Sequence, residues 1–231
     1  EIRHYIHQHP ELSGQEYQTT AFLRERLEKL GIRILESGLK TGLIAEIGSG
    51  QPVVALRADI DALPILEQTN LPYQSQHPGV MHACGHDFHQ TSLLGAAALL
   101  KEKEDQLEGT IRLIFQPAEE ISEGASDVLA TGLLEDVQGI IGFHNMPQLK
   151  AGQLALNAGA MMAGVEKFKV TVTGVSSHAA RPDLGVDTVT AVTTMVQNVQ
   201  LLISRTVSPF ETAVLSITHL DVGSTWNVLP K

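Results

Sequence analysis

Residues 81–101 read MHACGHDFHQTSLLGAAALLK. The second half of this stretch has helical spacing. Leu93, Leu94, Ala97 and Leu100 recur so as to form one apolar face, which predicts a helix over residues 87–101. The first half is a polar loop that carries Cys84 with His82, His86 and His89. The apolar run TIRLIFQ at 110–116 follows shortly afterwards and reads as a buried strand stopped by Pro117. Helix and strand alternating around a chemically loaded loop point to an α/β domain.

The pattern extends in both directions. Upstream, the chain opens in a short helix. Residues 15–30 form a second one, with Phe22, Leu23, Leu27 and Leu30 on one face and Gly31 as its C-cap. Residues 43–47 and 53–58 read as strands around the turn Gly48-Ser49-Gly50-Gln51-Pro52, and 64–81 as irregular. Downstream come a helix at 125–131, ended by Gly132, and a short buried strand at 139–143. A mixed, largely parallel sheet is expected.

The texture changes near Gly164. Residues 165–173 (VEKFKVTVT) and 213–220 alternate with period two, as half-buried strands do. Between them lie a polar loop and a long helix at 186–204, with Val189, Val192, Val196, Val199 and Ile203 on one side. A smaller α+β unit over 164–231 is therefore expected beside a larger one over 1–163.

Composition narrows the function. The 231 residues are 43% hydrophobic with a net charge of -10, so disorder is excluded and a phosphate backbone is repelled. A single cysteine forms no intrachain disulfide and suits a reducing, cytoplasmic setting. No apolar run reaches membrane-spanning length, and EIRHYIHQHPE lacks the pattern of a secretion leader. The start at Glu1 and the stop just after Asn227-Val228-Leu229-Pro230 suggest a piece of something longer.

Three places carry ligand chemistry. Cys84 and His86 lie two apart, so in extended backbone both face one side and can grip one borderline divalent metal. The helix start beyond them is expected to help hold Cys84 as a thiolate. Asp87 is a candidate helix cap; His82 and His89 stand between a supporting role and simple exposure. Glu119 and Glu120 follow the end of a strand, where one can ligate a cation while the other acts as base. His144, in GFHNMP, follows another strand. In the second unit His178 sits in a polar loop and can donate a hydrogen bond to an oxyanion. A competing reading makes Cys84 a thiol nucleophile with His86 or His144 as base.

These stretches together resemble the M20 metallopeptidase family, in its amidohydrolase branch of N-acyl-amino-acid, hippurate and auxin-conjugate hydrolases. The matching segments are HQHPELSGQE (7–16), LRADIDALPI (56–65), residues 81–97 of the opening stretch, FQPAEE (115–120), GFHNMP (142–147), GVSSHAARP (174–182) and NVLP (227–230). The resemblance implies a zinc-peptidase-like catalytic domain and a partial lid that also makes a homodimer. It implies a site for two divalent metal ions, manganese or zinc first, then cobalt or nickel. Cys84, His86, Glu120 and His144 would be ligands. Glu119 would be the general base that takes a proton from the attacking water. His178 would reach the partner subunit's site and stabilise the oxyanion, and Asn227 would contact substrate. Asp61 would orient a ligand from behind, while Asp59 stands where related peptidases place a ligand. The implied substrate is a small N-acyl amino acid, with no nucleic acid or membrane partner. A further ligand, a His near the C-terminus of the catalytic domain, has no counterpart up to Lys231. A truncated homologue that binds only metal or partners is the alternative.

Overall fold

A computed structural model describes residues 1–231. The chain divides into two compact units, Glu1–Leu154 and Ala155–Lys231.

The first unit is built on a five-stranded sheet. Its strands are β1 (Arg33–Leu35), β2 (Leu43–Ser49), β3 (Val53–Asp59), β4 (Gly109–Gln116) and β5 (Val137–Gly142), in the order β1-β2-β4-β3-β5. β2 and β3 are neighbours in sequence but do not pair. β4 lies between them, antiparallel to β2 and parallel to β3, with Ala45 opposite Leu113 and Leu56 opposite Leu113 on the other side. β5 pairs parallel with β3 at the sheet edge.

Strand residues alternate between the two faces, and each face has its own apolar layer. On one face Leu43, Ala45, Ile47, Leu113 and Phe115 pack with Leu23 and Leu27 of α2 (Tyr17–Lys29) and with Leu93, Leu94 and Ala97 of α3 (His86–Lys101). On the other, Ile44, Ala55 and Ile114 pack with Val128 of α4 (Gly124–Ala130). The helix α1 (Ile2–Gln8) lies against α3.

The expected helices and strands of this unit are all present, with two corrections. The strand expected at 139–143 is β5, but it is not buried: Ile140 and Ile141 are exposed, because the edge strand has a partner on one side only and no helix covers it there. The apolar face of α2 is narrower than its sequence suggests. Leu30 sits exposed at the C-cap, and Phe22 stacks on Tyr5 with the Arg26 guanidinium over its ring. Gly31 has a φ of +66° and ends the helix as expected.

The second unit contains α5 (Thr188–Thr206) and a two-residue antiparallel pair, β6 (Ser177–His178) with β7 (Val228–Leu229). Asp187 caps α5 by accepting the Thr190 N–H at 3.1 Å. Val189, Val192, Val196, Val199 and Ile203 are half-buried, so the helix turns its expected face inward. The strands expected at 165–173 and 213–220 are absent. Both segments keep the alternating pattern, yet neither finds a ladder partner in this chain, and their side chains are largely exposed. A strand needs such a ladder to satisfy its backbone.

Candidate metal centre

Because β3, β4 and β5 run in the same direction, their carboxyl ends lie side by side. In open α/β sheets this edge is where ligands collect. Asp59 ends β3, Glu119 and Glu120 follow β4, and His144 follows β5. The loop before α3 brings Cys84 and His86 to the same place.

His86 is the hub. Its Nδ1 lies 2.9 Å from the backbone carbonyl oxygen of Asp61 and 3.2 Å from Asp61 Oδ1. A carbonyl only accepts, so Nδ1 carries the proton and in the neutral ring Nε2 presents a lone pair. Burial lowers the pKa of His86, but Asp61, Asp59 and Glu120 raise it overall, so without a cation the carboxylates draw a proton to Nε2. Nε2 faces Asp59 Oδ2 at 3.6 Å, Glu120 Oε1 at 3.7 Å and Glu119 Oε2 at 3.9 Å. His144 is arranged in the same way: Nδ1 donates to the Asn145 carbonyl at 2.8 Å, leaving Nε2 3.2 Å from Cys84 Sγ.

The electrostatics call for a cation. Glu120 Oε1 is buried with no hydrogen-bond partner. Burial, reinforced by Asp59 and Glu120, raises the pKa of Glu119. Burial and Glu120 push the Cys84 thiol up to about 12, so without a cation it stays protonated. The direction is opposite to the thiolate expected from the helix start: burial first, then the nearby carboxylates, favour the neutral thiol until a cation is present. Burial alone would raise Asp59, but its bond to His89, with His86 and Arg57 close by, holds it down at about 2. Three groups of donors stand close enough to share a metal ion: Cys84, His86 and His144; His86, Glu119 and Glu120; and Asp59, His86 and His89, the last with both His89 nitrogens already hydrogen-bonded. Within each set the donor atoms lie within 4.8 Å of one another. Thiol, imidazole and carboxylate together fit divalent ions of the first transition row.

The surroundings hold this cluster in place. Asp61 Oδ2 accepts from Ser13 Oγ at 2.6 Å and from the Glu120 N–H at 3.0 Å, so it orients His86 and the Glu120 backbone together. Glu16, fully buried, accepts from the Ala118 N–H at 2.8 Å and from Thr41 Oγ1 at 2.7 Å and braces the loop that carries Glu119. Arg57 donates to Asp59 and to Gln116 Oε1. Ser13, Glu16, Arg57 and Asn145 have no role in the sequence reading. All four lie inside the matching segments, but nothing in their spacing says that they face the site.

Other sequence candidates fall elsewhere. Asp87 does not cap α3, whose N-cap is Gly85; it accepts from Arg3 Nε at 2.9 Å and pairs with His7 Nδ1 at 3.0 Å, tying α1 to α3. His82 is buried with neither ring nitrogen partnered, and burial drives its pKa down to about 4. His89 is buried rather than exposed. In the second unit, His178 and Asn227 come together: His178 stands opposite Val228, and the Ala179 N–H donates to the Asn227 carbonyl at 3.0 Å. His178 Nδ1 accepts the Ala180 N–H at 3.1 Å, so its proton rests on Nε2, ready to donate.

A cluster of Cys, His and Glu donors at the carboxyl edge of a mixed α/β sheet places the chain among α/β proteins with metallopeptidase-type sites. Residues 55–219 match peptidase family M20/M25/M40, and the chain belongs to that family. It is 49% identical to the N-acetyl-L-cysteine deacetylase of Bacillus subtilis, over 99% of this chain and 56% of that one. It is 43% identical to the IAA-amino acid hydrolase ILR1-like 5 of Arabidopsis thaliana, over 99% of this chain and 53% of that one. Among solved structures it resembles the Bacillus subtilis YXEP protein, described as a dinuclear metal binding peptidase from the M20 family. The TM-score is 0.71 at 42% identity, covering 99% of this chain and 59% of that one. The chain thus spans about half the length of the curated relatives it matches.

Proposed function

We propose that the protein hydrolyses the amide bond of small N-acyl amino acids at a centre holding two divalent metal ions. The observation that carries this reading is His86 Nε2, ringed by three carboxylates with Glu120 Oε1 unpartnered. Such an array needs positive charge, and the relatives act on N-acyl amino acids. Cys84, His86, Glu120 and His144 would hold the ions. The mixed sulfur, nitrogen and oxygen donors suit zinc or manganese, with cobalt or nickel as substitutes.

Bound ions would polarise the amide carbonyl and acidify a water. Glu119 is the base: its raised pKa and half-exposed position suit it to take a proton from water and return it to the leaving amine. The new C–O bond forms at the carbonyl carbon, the C–N bond breaks, and a carboxylic acid and a free amino acid leave. Asp61 keeps His86 in the tautomer that ligation needs. His178, with its proton on Nε2, would donate to the oxyanion from a partner subunit, and Asn227 beside it would touch substrate.

The division into a catalytic part, 1–163, and a lid and dimer part, 164–231, rests on the family likeness. It is supported by the exposed Phe210 and Trp226, apolar residues that an interface would cover. No helix is long and apolar enough to cross a membrane. A cytoplasmic setting would keep Cys84 reduced.

The test is release of free amino acid from N-acetyl, N-benzoyl and N-indolylacetyl amino acids with manganese or zinc added. Glu119→Ala should lose at least about a hundredfold in turnover while keeping its metal. Near-normal turnover in Glu119→Ala would refute the base. Metal bound without turnover by the unaltered chain would favour a homologue that only binds.

A further inference from the structure

His89 lies one turn into α3 from His86 and is 1% exposed, with both ring nitrogens engaged. Nε2 accepts the backbone N–H of Asn145 at 3.0 Å. A nitrogen that accepts carries no proton, so the proton is on Nδ1, which donates to Asp59 Oδ1 at 2.6 Å. Asn145 in turn uses its carbonyl to receive His144 Nδ1 at 2.8 Å. Its side-chain Oδ1 position lies 2.6 Å from the same His89 Nε2; an acceptor oxygen there would face the ring's lone pair, so the amide is turned to bring its NH2 to the ring. The amide packs on Gly85, the residue between Cys84 and His86. One buried imidazole therefore links the end of β3, the start of α3 and the loop after β5.

We propose that His89 is a positioning residue of the centre: it holds the Asn145 backbone and through it fixes His144 with its Nε2 lone pair toward Cys84. This rests on the reading of Cys84 and His144 as ligands. His144 itself is exposed and follows an edge strand, and what orients it comes from His89: the two rings meet edge-on with centroids 4.6 Å apart, and the Asn145 carbonyl holds its Nδ1. The hydrogen bond to Asn145 sets its tautomer, and His89 sets Asn145.

Two substitutions separate the two arms of His89. In His89→Asn the side-chain amide reaches the Nδ1 position and keeps Asp59 but cannot reach Asn145. In His89→Gln the amide oxygen reaches the Nε2 position and keeps the Asn145 N–H but drops Asp59. Cobalt(II) affinity, read by chelator competition, should fall about 10–100-fold in His89→Asn, the range for ligands that lose their orienting partner. It should stay within about threefold of the parent in His89→Gln. Nitrogen-15 spectra of the metal-free proteins should show His144 protonated at Nδ1 in the parent and in His89→Gln, and mixed between tautomers in His89→Asn. Asn145→Ala retains both backbone bonds and should keep the His144 tautomer. Equal losses in the two His89 variants, tracking their metal-free melting temperatures, would overturn the proposal, as would a switched His144 tautomer in Asn145→Ala. A parent chain that takes up no cobalt would refute the metal reading alone, while the tautomers would still decide the role of His89.

Discussion

Asp61 grips His86 twice, through its backbone carbonyl at 2.9 Å and its carboxylate at 3.2 Å. The carbonyl fixes the tautomer; the carboxylate makes Nε2 more basic and so a better ligand. Asp61→Ala keeps the first bond and removes the second, together with the acceptor for Ser13 and the Glu120 N–H. Metal affinity should fall about 10–100-fold, measured by competition with a chelator. Unchanged affinity would show that the backbone carbonyl alone is enough.

Gly85 has a φ of +90°, a left-handed conformation in which its backbone lies against the Asn145 amide. Gly85→Ala adds about 1–2 kcal/mol of backbone strain and drives a methyl into that amide. A chain of this size should lose several degrees of melting temperature, at about 2–4 °C per kcal/mol. Loss of cobalt(II) binding should accompany it, because Cys84 and His86 flank the glycine. A variant with the parent melting curve and cobalt affinity would contradict the tight approach.

His7 pairs with Asp87 at 3.0 Å and with Glu67 at 3.2 Å, with Arg3 on the same Asp87 oxygen and His82 nearby. The hydrogen bond to Asp87 is the largest cause of its raised pKa; burial opposes it, and Glu67 adds to it. For a histidine whose folded pKa exceeds the unfolded value of 6.5, the stabilisation is full below that value and is lost as pH rises through the folded pKa. His82 acts in the opposite sense, since burial holds its folded pKa at about 4, and its effect falls on the acid side, between 6.5 and 4. Urea unfolding of the parent should therefore show a declining contribution above pH 6.5 that His7→Gln lacks. Parallel pH profiles for the two proteins would mean that this pair does not titrate in that range.

His178→Ala should lower amide hydrolysis without loss of metal. Mixed with Glu119→Ala, it should recover part of the lost activity, because each subunit would lend the residue that the other lacks. Failure to recover any would exclude a role across the subunit boundary.

Much of the first unit was legible because its periodicities are strong. Leu93, Leu94 and Ala97 mark α3, and the apolar TIRLIFQ run marks β4. Cys84, His86, Glu119, Glu120 and His144 were legible as donors, since each residue type has metal chemistry and each lies beside an element end, at or just before the start of α3 or after β4 and β5. The sequence hid the acceptors and braces. Whether Asn145 offers its backbone to His89, or Glu16 its carboxylate to the Ala118 N–H, depends on contacts 56 and 102 residues apart in the chain. The metal-free thiol is pushed up for a related reason: the helix start lies next to Cys84 in sequence, but the burial and the carboxylates that raise its pKa come from distant parts of the chain. In the second unit the alternation at 165–173 and 213–220 signals side-chain preference, and preference makes no strand without a partner.

The placing of β4 between β2 and β3 bears on how the protein comes together. Two strands joined by a short turn would ordinarily zip as a hairpin within microseconds. Here both must wait for residues 109–116, which begin 50 positions after the end of β3, to thread between them. Glu119 and Glu120 arrive with that strand. The acidic half of the centre therefore meets its histidine half only as the sheet closes. A metal ion would then be captured only where the sheet is complete, and once bound it would slow the opening of the fold where its pairings reach farthest along the chain.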